Sequence, residues 1–411
     1  MSLTFKIKIF LTLTILPFLF IAKNPILGVI FFIAKYLSIA NLFLSLRFSL
    51  PRHLLLLATL FSFLCVFSIL NIFLKDAGIV SFAYLLMFGT VIFLPIWFGR
   101  ATVHWTPQQW RHIFGFVLML FTCLNLLSLI SIALGLEFST DIRYNPYGPT
   151  TLSNRGIYYT SNYGTLFSAI GLILGLIFYL SDNKNYKYFI IVMINLLAMF
   201  MFQSRAQTIL ALFVSGLLTF SFNKRLLVAI LTMMALAIYM YLDLIIEVLM
   251  LFIRYESLLE RGLLGNRGLM YDVVFSSAES IGLTGVGAGN SKSIWTIVDA
   301  SKTSLSSVDL GNMEGLNLHS SVLTLFTEYG PLGPLIFYFL PCFVLIKTRK
   351  IKSRWVPEFR FLLLFCILDS FINDDFSSLA SPGQSILILI LGFLYGHVQK
   401  VKLKGKPRYP T

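Results

Sequence analysis

The sequence predicts an all-α fold: a polytopic transmembrane bundle of about twelve helical spans, interrupted by one large, partly helical loop on the outer side. Three observations carry this. Of 411 residues, 57% are hydrophobic and only 12% charged, with a mean hydropathy of +0.83, about half the charge of an ordinary soluble domain. Apolar runs of ~20 residues recur along the whole chain, each long enough to cross ~30 Å of hydrocarbon. Finally, cationic and cation-poor connectors alternate between those runs. Helices follow because a backbone in lipid must satisfy its own hydrogen bonds, and the alternating ten-residue segments of a barrel are missing.

Taken in order, the runs fall near 9–22, 26–46, 54–74, 79–99, 113–135, 162–181, 188–203, 207–222, 226–249, 320–346, 359–378 and 383–399. The first is short and the eleventh is polar at its end, so ten or eleven spans also fit. The first run lacks a small-residue cleavage site and reads as a retained helix. The organisation is then nine spans in 1–249, an outer loop in 250–318 with an amphipathic helix, and three spans plus a basic tail in 319–411. Cys65, Cys123, Cys342 and Cys366 lie inside apolar runs, a pattern of small packed hydrophobes and not of a disulfide frame.

Twenty-one of the 32 lysines and arginines fall in one alternating set of connectors, from Lys6 and Lys8 to the tail Lys400–Arg408; ten fall in the other set. By the positive-inside rule both termini are cytoplasmic and the long loop faces out. The net charge of +14 is thereby an orientation signal, and nucleic acid is not expected as a partner. Four outward connectors follow: 136–161, the tight turn Gln203–Gln207, the loop 250–318, and 373–378. In the large loop, Met270–Ile281 has helical spacing, with Tyr271, Val274, Phe275 and Ala278 on one stripe, and Gly282–Gly289 breaks it.

These outer segments hold the candidates for chemistry. Among five histidines only His319 is on the outer face. Imidazole titrates near neutral pH and suits a general base, although a histidine at a helix start also caps or packs. Arg205 sits between two apolar spans, where an unpaired cation costs several kcal/mol. It therefore needs an anion, either Asp374 or Asp375 or a ligand phosphate gripped by the guanidinium fork. Arg267, beside Asn266 and flanking glycines, is a third candidate, and Arg155 a weaker one. Asp369, Asp374 and Asp375 form an acidic group at the end of span eleven, either functional or paired with an arginine. Gly285-Val-Gly-Ala-Gly289 has no preceding strand and reads as a tight turn near the headgroups, not a nucleotide loop. No metal-ligand spacing occurs, and neither a metal nor another cofactor is expected. Two arginines for a diphosphate and one histidine for a hydroxyl proton suit glycosyl transfer from a lipid diphosphate.

These residues carry a resemblance. His319-Ser320, nine residues, then Gly330-Pro-Leu-Gly333 is similar to a motif of the O-antigen ligase/polymerase superfamily of bacterial membrane glycan transferases. Ser204-Arg-Ala206 resembles its Ser-Arg-small turn, Gly265-Asn-Arg267 with Tyr271 its Gly-x-Arg segment, and Gly285–Asn290 its glycine-rich turn. Arg155–Gly164 resembles an Arg-Gly stretch of the family but lacks its proline. The likeness spans about residues 140–345. It implies a metal-independent transferase of the bacterial inner membrane with a periplasmic active site, whose donor is an undecaprenyl-diphosphate-linked glycan. Arg205 and Arg267 would hold the diphosphate and His319 would activate the acceptor hydroxyl. Arg155, Asn317, Ser320, Asp374 and Asp375 would contact substrate. Expected partners besides membrane lipid are a chain-length regulator or a lipid A-core acceptor. The near-neutral outer loops and the Asn-Tyr-Gly stretch favour a polymerase, while the histidine motif favours a ligase. A flippase for lipid-linked sugars is the rival class, disfavoured by nearly uncharged spans and the lack of repeats.

Overall fold

The computed structural model describes residues 2–19, 25–43, 51, 54–74, 80–136, 140–143, 151–158, 160–182, 185–202, 204–224, 266–298, 318, 320–373, 376 and 381–404. Most of these are helical; they also include one two-stranded hairpin and the turns that connect the helices. In chain order come α1 (Leu3–Ile15), α2 (Pro25–Phe43), α3 (Leu55–Leu74), α4 (Val80–Ala101) and α5 (Pro107–Ala133). The hairpin follows, β1 (Thr140–Arg143) and β2 (Thr151–Asn154), then α6 (Ser161–Ser181), α7 (Tyr186–Met201) and α8 (Arg205–Phe222). The remainder are α9 (Asn266–Ser276), α10 (Ala278–Ile281), α11 (Ile294–Ile297), α12 (Ser321–Tyr329), α13 (Leu332–Thr348), α14 (Val356–Ile372) and α15 (Pro382–Lys404).

Among the described residues, four helices are long and apolar enough to cross a membrane: Tyr84–Ala101, Pro107–Ala133, Ser161–Ser181 and Gly383–Val401. Leu55–Val66, Tyr186–Met201, Ala206–Phe222 and Leu332–Thr348 are shorter apolar helices. The expected ninth span, 226–249, lies outside the described residues. The expected tenth span, 320–346, is two helices, α12 and α13. Gly330 between them has φ 63°, ψ −163°, a conformation essentially reserved for glycine, and Pro331 restarts the chain. The connector 136–161, expected on the outer side, holds the hairpin, with Thr140 opposite Asn154 and Arg143 opposite Thr151.

The chain divides into two units. Unit 1 comprises Met1–Leu44, Trp105–Leu263 and Ser353–Phe365. Its α6 and α7 pack through Gly171 and Gly175, a small-xxx-small pair. A Cβ at Gly171 would lie 2.2 Å from Asn195 Oδ1, and one at Gly175 would lie 2.9 Å from Val192 Cγ2. The close approach buries a polar chain. Tyr158 donates to Asn125 Oδ1 at 2.7 Å, Asn125 Nδ2 to Asn195 Oδ1 at 2.7 Å, and Asn195 Nδ2 to Thr122 Oγ1 at 3.0 Å. Burial pushes the Tyr158 phenol up, which keeps it a donor. Each such interhelical bond contributes about 0.6–2 kcal/mol in an apolar setting.

Unit 2 comprises Ser45–His104, Leu264–Lys352 and Cys366–Thr411. Here α4 meets α15 through Gly99, Gly392 and Gly396. A Cβ on Gly99 would stand 2.7 Å from the Gly392 carbonyl oxygen, and one on Gly396 would stand 2.9 Å from that of Gly99. Both contacts let backbones approach where lipid offers no hydrophobic drive for association.

Candidate functional site

The expected loop helix is present as α9 and α10, starting four residues before Met270 and interrupted at Ser277. Its buried stripe is Met270, Val273, Val274 and Ile281, which packs with Ile294, Trp295, Leu318 and Leu323. The expected stripe was rotated relative to this: Val274 belongs to it, but Phe275 is 57% exposed. An apolar side chain in a membrane protein is tolerated facing lipid as readily as core, so hydropathy alone does not pick the packed face. Burying each of these side chains contributes about 1.5–3 kcal/mol, enough to seat the loop helix on the start of α12.

That junction carries a hydrogen-bonded clasp. Ser320 caps α12, its Oγ accepting from Leu323 N at 3.4 Å, and it is 2% exposed. The Tyr271 hydroxyl, from α9, lies 3.3 Å from Ser320 Oγ and donates to the Phe371 carbonyl at 2.7 Å. Ser321 N and Ser321 Oγ both donate to the Asn373 carbonyl, at 3.1 and 2.9 Å, and Ser321 Oγ accepts from Phe376 N at 3.3 Å. Asn373 Nδ2 in turn donates to Asp369 Oδ1 at 2.7 Å; Asp369 is fully buried. Three segments far apart in sequence therefore meet: the helix holding Arg267, the chain just after His319, and the chain just before Asp374. His319, Asn317, Asp374 and Asp375 themselves lie outside the described residues.

The glycine-rich turn is docked on the far end of α12. Val286 N donates to the Thr327 carbonyl at 2.8 Å and Gly287 N to that of Glu328 at 3.1 Å. Gly285 and Gly330 face this contact with positive φ. A Cβ on Gly285 would lie 2.2 Å from the Glu328 carbonyl oxygen, and one on Gly330 would lie 2.3 Å from that of Leu283. Asn290 Nδ2 reaches Ser81 Oγ on α4 at 3.3 Å. The segment is a turn, as expected, and it acts as a backbone bracket, which was not expected. It ties the glycines of the two motifs, Gly285-x-Gly-x-Gly and Gly330-x-x-Gly, to each other.

Arg267 is the second residue of α9. Arg205 begins α8, so the turn before it is shorter than expected, and Ser204 at the cap position is buried. Arg155, between β2 and α6, is 6% exposed, and its carbonyl accepts from Tyr158 N at 3.1 Å. Arg155 and Arg205 belong to unit 1; Arg267 and the clasp belong to unit 2.

Sequence reasoning gave the hydroxyls of Tyr271 and Ser321 and the carbonyl of Asn373 no part in a site. A signal for one of them exists: two serines at a helix start offer one cap and one spare hydroxyl. The buried Asn125–Asn195 pair was also missed, although an asparagine amid an apolar run is itself a mark of an interhelical contact. No family model and no curated protein matches the chain.

Proposed function

We propose that the chain is a glycosyltransferase of the bacterial inner membrane that moves a glycan from undecaprenyl diphosphate onto a sugar hydroxyl at the periplasmic face. Its preferred role is polymerisation of a surface polysaccharide. The observation that supports this best is the clasp Tyr271–Ser320–Phe371, with Ser321 on Asn373. It joins the segments bearing the Gly-x-Arg, His-Ser and Asp-Asp residues within one unit.

In this reading the acceptor hydroxyl gives its proton to His319 as its oxygen attacks the anomeric carbon of the donor sugar. The carbon–oxygen bond to the diphosphate breaks and the diphosphate leaves with the electron pair. Arg267 and Arg205, assigned to the diphosphate by resemblance, take up the growing negative charge. General base action contributes ~10²–10⁴-fold. The twelve-span topology, with both termini cytoplasmic, belongs to the same proposal.

A ligase that delivers the chain to lipid A-core is the second reading, favoured by the His319-Ser320…Gly330-Pro-Leu-Gly333 pattern. A deletion strain separates the two. Single repeats on lipid A-core mean that a polymerase was lost; long chains stranded on undecaprenyl diphosphate, over bare core, mean that a ligase was lost. Unchanged surface polysaccharide overturns both.

A further inference from the structure

A second polar region lies at one end of unit 1, apart from every residue assigned above. A cavity of about 830 Å³ opens there, lined by Lys8 of α1, Arg111 and His112 of α5, and Arg354 with Trp355 just before α14. Asp182, the C-cap of α6, pairs with both Arg111 and Arg354, the latter at 3.2 Å. Glu358 of α14 also acts on Arg354, so two carboxylates stand against the three cations Lys8, Arg111 and Arg354 and positive charge is still in excess. The Lys8 ammonium stands 5.3 Å from the Phe116 ring centre, and the Arg354 guanidinium 5.3 Å from that of Trp355. A ring face holds a cation in place without taking up its N–H donors.

Two further features bear on what enters. The cavity borders the start of α5, a 27-residue helix that begins with a Thr106–Gln109 capping box and carries no acidic residue in its first turn. Its positive dipole end therefore adds to the cations. Beside them the wall is apolar. A Cβ added at Gly115 would meet nothing within 4 Å, so a notch lies between the cationic head of the cavity and Met119, which is 52% exposed. Exposed Leu126, Leu127 and Ile130 extend that face along α5. A soluble anion would have no use for this apolar track; a phosphate with an acyl chain would use both parts.

We propose that this cavity binds the phosphate head group of an anionic membrane phospholipid, with an acyl chain laid through the Gly115 notch along α5. Lys8, Arg111 and Arg354 belong to the connectors that the charge alternation places on the cytoplasmic side, which makes the ligand a lipid of that leaflet. The choice of leaflet rests on the topology proposed above, whereas the cavity and its ligand chemistry use none of the residues of the transferase reading.

The test is native mass spectrometry of the full-length protein released from micelles containing equal phosphatidylglycerol and phosphatidylcholine. Wild type should retain phosphatidylglycerol preferentially. Lys8→Gln with Arg354→Gln should lower retention by at least about fivefold per cation removed. Gly115→Leu starts from a Cβ position with nothing within 4 Å and removes no charge, and should lower retention even if the charge variant fails to fold. Equal retention of the two lipids, or retention unaltered by Gly115→Leu, overturns the proposal. So does a thermal midpoint raised by inorganic phosphate alone with no lipid retained, which would assign the cavity to soluble phosphate.

Discussion

The two polar regions differ in kind. In unit 2 the clasp is made of directional hydrogen bonds among hydroxyls, an amide, backbone carbonyls and the Asp369 carboxylate, joining α9, α12 and the end of α14. In unit 1 the region around Asp182 is charged and half open, with the Arg111 and Arg354 side chains 43% and 56% exposed. Formal charge would direct attention to the second. Directional hydrogen bonds between distant segments mark the first as the built junction, because each buried donor or acceptor left unmade costs about 1–3 kcal/mol, whereas an exposed ion pair contributes about 0–1.

The contrast can be broken by substitution. The largest expected effect is His319→Ala, which should lower glycan transfer at least ~100-fold while the protein still inserts; transfer assays on membranes check it, and full activity would remove the general-base role. Arg205→Lys should lose most transfer because a point charge replaces a fork, and wild-type rates in the same assay would exclude bidentate diphosphate binding. Gly330→Ala should cost roughly 3 kcal/mol or more, since it combines a backbone conformation foreign to alanine with a clash against Leu283; a thermal melt in detergent reads the loss. Tyr271→Phe should cost about 1 kcal/mol of stability, the worth of one hydrogen bond. It should slow transfer by about tenfold, a 1.4 kcal/mol effect on the barrier, and a normal rate would detach the clasp from activity. Smallest is Arg111→Gln, expected to change stability by about 1 kcal/mol or less because Asp182 keeps Arg354. A larger loss there would make the charged region the structural junction and reverse the comparison.

Part of the site was legible and part was not. Gly285, Gly287 and Gly289 were recognisable as turn glycines, and their positive φ values agree, whereas Gly330, also at positive φ, was expected inside a span. That the two motifs brace each other through Leu283 and Glu328 was not, because nothing in a glycine's neighbours along the chain tells which backbone will approach its missing Cβ. As a cap at this helix start the sequence offered His319, but Ser320 makes it. Its partner Tyr271 lies 49 residues away, and no local pattern specifies a pairing at that distance. Phe275 shows the limit of periodicity: Met270 through Phe275 offers two overlapping apolar stripes, and only contact with Leu318 and Leu323 selects Met270, Val273 and Val274.

What the sequence alone determined is the helical character and the apolar lengths, since hydrocarbon admits no backbone that leaves its own hydrogen bonds open. It did not determine the stop at Gly330-Pro331, which falls inside the expected tenth span although both residues act through their own φ and missing N–H. Tertiary structure decided which helices touch. Gly171–Gly175 against α7 and Gly99 against Gly392–Gly396 are close approaches between backbones. It also decided that the loop after Arg267 and the chain around His319 share a junction at Tyr271 and Ser320. The reason is range: propensity and hydropathy act within a turn or two of chain, whereas a hydrogen bond between two buried side chains exists only once packing has brought them within about 3 Å.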